Sequence, residues 1–119
     1  MSVDYTNCKD YIDLYQSYKH CRDTIQQLKR HKKFYIGATN NPFLRDQQHI
    51  EEKGMGTMVV LCKTETKNEA KKLENKLIYR FRKNKRIQNS IQYDEYGKLI
   101  QTGGLGLVEG ENYVYVLLR

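Results

Sequence analysis

The sequence predicts an α+β fold, in which a small three-stranded and mainly antiparallel sheet is flanked by helices. Two observations predict it: long stretches carry apolar residues at helical spacing, and three short runs are rich in β-favouring residues. The 119 residues suffice for one modest core, so we expect a single domain. Its expected parts are a helical extension (1–32), a core (33–89), a loop (90–111) and a C-terminal strand (112–119).

The first half of the chain predicts two helices and one strand. From Lys9 to His31 an apolar stripe recurs every three or four positions and indicates a long helix; its members are Tyr11, Leu14, Tyr18, Cys21, Ile25 and Leu28. The stripe either packs on the core or forms a short coiled-coil seam in a homodimer. Lys32–Gly37 is expected as a strand, and Pro42–Lys53 as a helix that ends at Gly54.

The second half predicts a buried strand at Thr57–Lys63, followed by a helix from Thr66 to about Lys83. Thr66 or Asn68 would cap that helix, and its core stripe is Ala70, Leu73, Leu77 and Phe81. Residues 87–111 look like a loop, with a turn near Asp94–Gly97 and a glycine-rich run at Gly103–Gly106. Asn112–Leu118 is a strand whose residues Tyr113, Tyr115 and Leu117 face one way.

The charge suggests a polyanionic partner. The formal net charge is +7 and the pI is about 9.3, which is typical of proteins that bind nucleic acid. The candidate backbone-binding residues lie in and near a basic run, and are Lys33, Arg80, Arg82, Lys83 and Arg86. The alternative is that this run is only the solvated, cationic end of a helix.

Two further observations bear on location. No apolar run is long enough to span a bilayer, and no secretory leader is visible. Cys8, Cys21 and Cys62 are odd in number and widely spaced, without the pattern of a zinc site or a disulfide framework. We therefore expect an intracellular protein of the cytoplasm or nucleus, neither secreted nor bound to a membrane.

The stretch from Tyr35 to His49 predicts an anion site. Gly37 permits either a close backbone approach or a positive φ, and Asn41 is a suitable cap for a helix that begins at Pro42. Arg45 and His49 are four residues apart and share one face of that helix. A guanidinium and an imidazole near a helix N-terminus favour a phosphate.

These residues resemble a known signature. Tyr35-Ile36-Gly37, followed by Arg45 ten residues after the tyrosine and His49 four further on, is similar to the second half of the GIY-YIG nuclease motif. Glu74 in the run EAKKLENKLI and Asn89 match the order of the later motifs. The resemblance covers Phe34 to Asn89, about half of the chain.

The resemblance implies a role for each residue. Tyr35 would act as a base or orient water, Arg45 would bind the phosphate, and Glu74 would hold Mg²⁺ or Mn²⁺. His49 would relay a proton or bind phosphate, whereas Gly37 and Asn89 would support the site. Without the resemblance, each has a plainer interpretation: Arg45 and His49 as helix-surface residues, Tyr35 as a core residue, Glu74 as a solvated charge and Asn89 as a turn residue.

One part of the signature is absent from its usual place. The family's Gly-Ile-Tyr strand would fall near Thr24, inside the first predicted helix. The C-terminal strand has a similar pattern of β-favouring residues and tyrosines, so we expect it to pair beside Phe34–Gly37, as in a circular permutation. Tyr115 would then replace the missing tyrosine, with Tyr113 as second choice; the alternative is an ordinary edge strand whose tyrosines only pack.

The resemblance implies a metal-dependent endonuclease that hydrolyses DNA phosphodiester bonds. A nucleic-acid-binding module with weak or no cleavage is the alternative, because the first motif is displaced. A protein-interaction domain that uses the stripe of the first helix is a third interpretation. No separate DNA-reading module is evident, so either specificity is low, or it comes from a fused or partner domain or from a DNA shape such as a branch or flap.

Overall fold

The computed structural model describes residues 3–53, 56–100 and 107–119, and for residues 51–53 the backbone only. The expected helix stop at Gly54 and the glycine-rich run at Gly103–Gly106 lie outside the described residues. In chain order the elements are β1 (Val3–Asp4), β2 (Lys9–Asp10), α1 (Leu14–Leu28), β3 (Phe34–Thr39), α2 (Pro42–Lys53), β4 (Thr57–Thr64), α3 (Lys67–Phe81), β5 (Gln92–Tyr93), β6 (Leu99–Ile100) and β7 (Asn112–Leu118).

The first helix is shorter than predicted at both ends. Asp13 caps α1, since its carboxylate accepts a hydrogen bond of 2.8 Å from the Gln16 backbone N–H. The residues before it, Lys9–Asp10, pair with β4 instead. The predicted helix began too early because Tyr11 continues the apolar stripe although it lies outside the helix. There it still packs against the core.

The sheet has five strands instead of three, and it is mixed. Its long strands are antiparallel, and β7 lies between β3 and β4. The two-residue strands β1 and β2 pair parallel to the outer side of β4. Such short strands carry no alternation that a sequence pattern could reveal. The expected pairing of the C-terminal strand beside Phe34–Gly37 is found, with Gly37 opposite Tyr115.

The two faces of the sheet bury different clusters. On one face α1 and α3 cover a large apolar core that includes Cys21, Ile25, Leu73 and Leu77. The stripe of α1 is therefore covered by the chain's own core, which removes the predicted coiled-coil seam. On the other face a smaller cluster forms around Met58, Val60, Tyr115 and Leu117. The strand alternation predicted for β7 is thus confirmed.

The second and third helices begin where the sequence predicts. Asn41 accepts a hydrogen bond of 3.1 Å from the Leu44 N–H, and Thr66 accepts one of 3.1 Å from the Glu69 N–H. The predicted loop after α3 contains a small hairpin, because β5 and β6 pair around the turn at Asp94–Gly97. No helix among the described residues is long and apolar enough to cross a membrane.

Candidate active site

The outer edge of β3 is closed by the segment that follows α3. The Phe34 N–H donates to the carbonyl of Arg86 at 3.0 Å, and the Gln88 N–H donates to the carbonyl of Phe34 at 2.7 Å. One step along the strand, the Asn89 side chain accepts from the Ile36 N–H at 2.8 Å and donates to the Ile36 carbonyl at 2.7 Å. Asn89 therefore satisfies the strand edge as a further strand would.

Glu74 lies at the next step along the same edge. Its side chain is only 4 % exposed, and the Ala38 N–H interacts with its carboxylate. Burial raises the pKa of Glu74 to about 7, although the Ala38 N–H and the charge of Arg45 act in the opposite direction. The atom Oε1 is buried, and no group in the described part of the chain hydrogen-bonds it. The interpretation of Glu74 as a solvated charge is therefore wrong.

The raised pKa of Glu74 predicts how stability depends on pH. The folded protein holds this proton more tightly than the unfolded chain, whose pKa is near 4.5, so stability falls as pH rises from about 4.5 to 7. The full effect is about 3 kcal/mol. We expect Glu74→Gln to unfold at a higher temperature than wild type at pH 8, and at a similar temperature near pH 4.5, in metal-free buffer. An equal difference at both pH values would contradict this titration.

A cluster of three rings lies on the other face of β3. Nε2 of His49 is 2.7 Å from the hydroxyl oxygen of Tyr115, and both side chains are almost completely buried. The ring of Tyr35 lies 5.1 Å from that of His49 and 6.4 Å from that of Tyr115, between centroids. The fold thus brings Tyr35, His49 and Tyr115 together from β3, α2 and β7.

Gly37 makes this cluster sterically feasible. A Cβ atom at this position would lie 2.4 Å from both Cζ and the hydroxyl oxygen of Tyr115. Any side chain would therefore displace the tyrosine ring. The sequence allows Gly37 either a close backbone approach or a positive φ, and the structure shows a close approach to the Tyr115 ring.

Arg45 joins the ring cluster to Glu74. Its half-buried guanidinium donates to Oε1 of Gln48 at 2.8 Å and lies beside the hydroxyls of Tyr115 and Tyr35. Burial lowers the pKa of Arg45, but the interactions with Tyr115 and Tyr35 outweigh it, so the pKa is raised overall. Arg45 is therefore a fixed cation beside two phenols and a carboxyl group.

The environment of Tyr115 keeps its phenol protonated. Burial and the neighbouring Tyr35 raise the pKa of Tyr115, and the cation of Arg45 only partly offsets them. The Tyr115 hydroxyl can donate to Nε2 of His49 or accept from it, according to the tautomer of the imidazole. This one short hydrogen bond fixes the two rings relative to each other.

Tyr113, the second choice for the missing tyrosine, lies outside this cluster. Its hydroxyl donates to Glu111 at 2.8 Å, and Glu111 in turn pairs with Lys63 at 3.4 Å. Its ring instead contacts that of Tyr5 edge-on, with centroids 6.5 Å apart. The hydrogen bond to Glu111 also raises the pKa of Tyr113 to about 12.

The predicted backbone-binding residues gather around the end of α3 and the start of β3. Arg82 stacks on the Tyr79 ring at 3.8 Å, and its guanidinium donates to the Tyr79 carbonyl at 2.8 Å. The side chains of Arg80, Lys83 and the remaining two candidates, Lys33 and Arg86, are exposed. Lys33 directly precedes the strand that carries Tyr35, and the carbonyl of Arg86 accepts from the first residue of that strand, Phe34.

Asp46 is a buried residue that the sequence interpretation missed. Its side chain is fully buried on the inner side of α2, and neither carboxylate oxygen has a hydrogen-bond partner among the described residues. Buried carboxylates without partners are costly and are rare outside functional sites. The available signal was spacing: Asp46 is four residues after Pro42 and three before His49, on the inward face of the helix.

Among the described residues of the site, Glu74 is a carboxylate that would suit a divalent cation. No group of three or more His, Cys, Asp or Glu side chains arranged for a metal occurs among the described residues. Mg²⁺ commonly binds through one or two carboxylates and keeps several waters, so a single buried carboxylate is an adequate protein ligand. The unpartnered Oε1 of Glu74 is the atom that suits this role.

Comparison with models of protein families, with curated proteins and with solved structures finds no match to this chain.

Proposed function

We propose that this chain is a divalent-metal-dependent endonuclease that hydrolyses DNA phosphodiester bonds, with a GIY-YIG-type site completed by its C-terminal strand. The observation that carries the proposal is the position of Tyr115. It lies opposite Gly37 and 2.7 Å from His49, where the sequence resemblance calls for a second tyrosine. Tyr35, Arg45 and Glu74 surround the same point, although they come from three different elements.

The exposed part of the site suits an anionic substrate. Tyr35 and Arg45 are only partly buried, whereas His49 and Tyr115 lie beneath them. Arg45 would donate to a non-bridging phosphate oxygen and stabilise the charge that grows there as the bond breaks. Tyr35 would orient the attacking water or take its proton.

The buried residues would position these groups. Tyr115 and His49 hold each other through one hydrogen bond, and the Arg45 guanidinium lies beside the Tyr115 hydroxyl. This arrangement would fix the guanidinium before substrate arrives, which lowers the reorganisation needed for catalysis. A Mg²⁺ or Mn²⁺ ion held by Glu74 would supply Lewis-acid stabilisation of the phosphate and of the leaving oxygen.

A nucleic-acid-binding module without cleavage is the second candidate. It is favoured by the pKa of Glu74, which at about 7 leaves the carboxyl partly protonated at neutral pH. A neutral carboxyl would bind a cation weakly. The third interpretation, a protein-interaction domain built on the stripe of α1, loses support because Cys21 and Ile25 are fully buried in the core.

Supercoiled plasmid DNA tests the proposal. With Mg²⁺ or Mn²⁺, wild type should nick the plasmid, EDTA should prevent nicking, and Arg45→Ala should slow it about 10²-fold or more. Arg30→Ala, an exposed arginine outside the site, is the matched control and should keep the wild-type rate. An intact plasmid with wild type at every metal concentration would refute the nuclease; salt-dependent binding of that plasmid would then support the binding module.

A further inference from the structure

The outer surface of α3 carries a groove that the proposed cleavage site does not use. The groove lies between α3, Leu14 at the start of α1, and the hairpin strand β6, and its volume is about 580 Å³. Part of its wall is apolar, because Leu14 and Leu99 line it and also pack against the core. The hairpin after α3 therefore helps to form a concave surface.

The charges around this groove have one sign. Four lysines line it, namely Lys71, Lys72, Lys76 and Lys98, and none of the described lining residues is acidic. Four like-charged side chains around one concavity make its potential positive, although the Lys76 ammonium also lies 4.8 Å from the centroid of the Tyr18 ring. An ordinary solvated surface would mix both signs of charge, so the groove is complementary to a polyanion.

The groove also presents an aromatic ring. Tyr79 lines it and is 52 % exposed, and the Arg82 guanidinium stacks on the same ring. Lys72, Lys76 and Arg80 follow one another at intervals of one helical turn, about 6 Å along the axis. A row of cations beside an exposed ring is the usual composition of a surface that holds single-stranded nucleic acid.

We propose that this groove binds a single-stranded segment of nucleic acid, with phosphates on the lysines and a base stacked on Tyr79. A groove of about 580 Å³ has room for part of one strand, and stacking on the exposed ring of Tyr79 requires an unpaired base. The row of cations continues through Arg80 to the basic residues at the end of α3. This inference rests on the proposed function, which identifies the bound strand as DNA. The groove then gives the substrate class as DNA with a single-stranded arm.

Binding measurements without cleavage test the groove. The probe is a short fluorescently labelled single strand, compared with its duplex by anisotropy in EDTA. We expect Lys72→Gln/Lys76→Gln to weaken single-strand binding about 10-fold at low salt. It should also lower the slope of log affinity against log salt by about 1.4, because two phosphate contacts are lost. The charge-matched pair Lys9→Gln/Lys19→Gln, on the surface near α1, should change either quantity little.

The ring is tested separately from the charges. Tyr79→Ala should weaken binding of the single strand about 10-fold and of the duplex much less, whereas Tyr79→Phe should bind as wild type does. The proposal would be overturned if both lysine pairs had equal effects on binding. It would also be overturned if Tyr79→Ala weakened binding of single strand and duplex equally, or if wild type bound no single strand. The plasmid assay tests the proposed function independently. If the plasmid stays intact while Lys72→Gln/Lys76→Gln weakens single-strand binding as expected, the nuclease is refuted and the proposal for the groove is retained.

Discussion

Glu74→Gln is expected to lower the rate of plasmid cleavage by about 10³-fold in Mg²⁺ or Mn²⁺. Glutamine has nearly the same shape and can still accept from the Ala38 N–H, so the fold around the edge of β3 should be retained. It carries no negative charge, however, and would not hold a divalent cation. The loss should therefore appear in the rate and in metal binding, but not as unfolding.

Thermal unfolding with added metal separates these effects. At a metal concentration ten times the dissociation constant, wild type should gain about 1.4 kcal/mol at pH 8, whereas Glu74→Gln should gain nothing. Glu95→Gln removes an exposed carboxylate in the hairpin turn and serves as the matched control, with wild-type cleavage and wild-type metal response. Wild-type cleavage by Glu74→Gln would show that Glu74 does not hold the metal.

Tyr115→Phe is expected to lower cleavage about 10²-fold, while Tyr113→Phe leaves it nearly unchanged. Both substitutions remove one hydroxyl from the same face of β7, two residues apart. Only the Tyr115 hydroxyl contacts His49 and Arg45; that of Tyr113 bonds Glu111 at the periphery. The comparison thus isolates the contribution of the C-terminal strand to the site.

The pH profile distinguishes positioning from a general loss of structure. Tyr115→Phe removes the hydroxyl that hydrogen-bonds Nε2 of His49, so the pH dependence of cleavage should shift as well as the rate. The cost in stability should be near 1 kcal/mol, as for one lost hydrogen bond. Equal rates for Tyr115→Phe and wild type would contradict a role for the permuted strand.

Much of the local structure was predictable from the sequence, because it depends on neighbours along the chain. The caps of α2 and α3 at Asn41 and Thr66 follow from side chains that reach backbone N–H groups three residues ahead. The alternation in β7 likewise requires only its own seven residues. These predictions are confirmed.

Other elements were missed for equally physical reasons. The strands β1 and β2 have two residues each, and they exist only because the edge of β4 is available for pairing. The prediction of one unbroken helix from Lys9 was wrong because apolar packing continued beyond the helix. The burial of Asp46 could not be inferred from its residue type, since a carboxylate is usually solvated.

The sequence by itself determined which groups are available and which share a helix face or a strand: Tyr35, Arg45, His49, Glu74 and Asn89. The resemblance implied that Tyr115 joins them, and the tertiary structure shows Tyr115 beside Tyr35 and His49. Its contact with His49 spans 66 positions and requires β7 to lie between β3 and β4, where Gly37 leaves room for the ring. Pairing between strands so distant in the chain depends on the packing of the whole domain, which no local pattern of residues encodes.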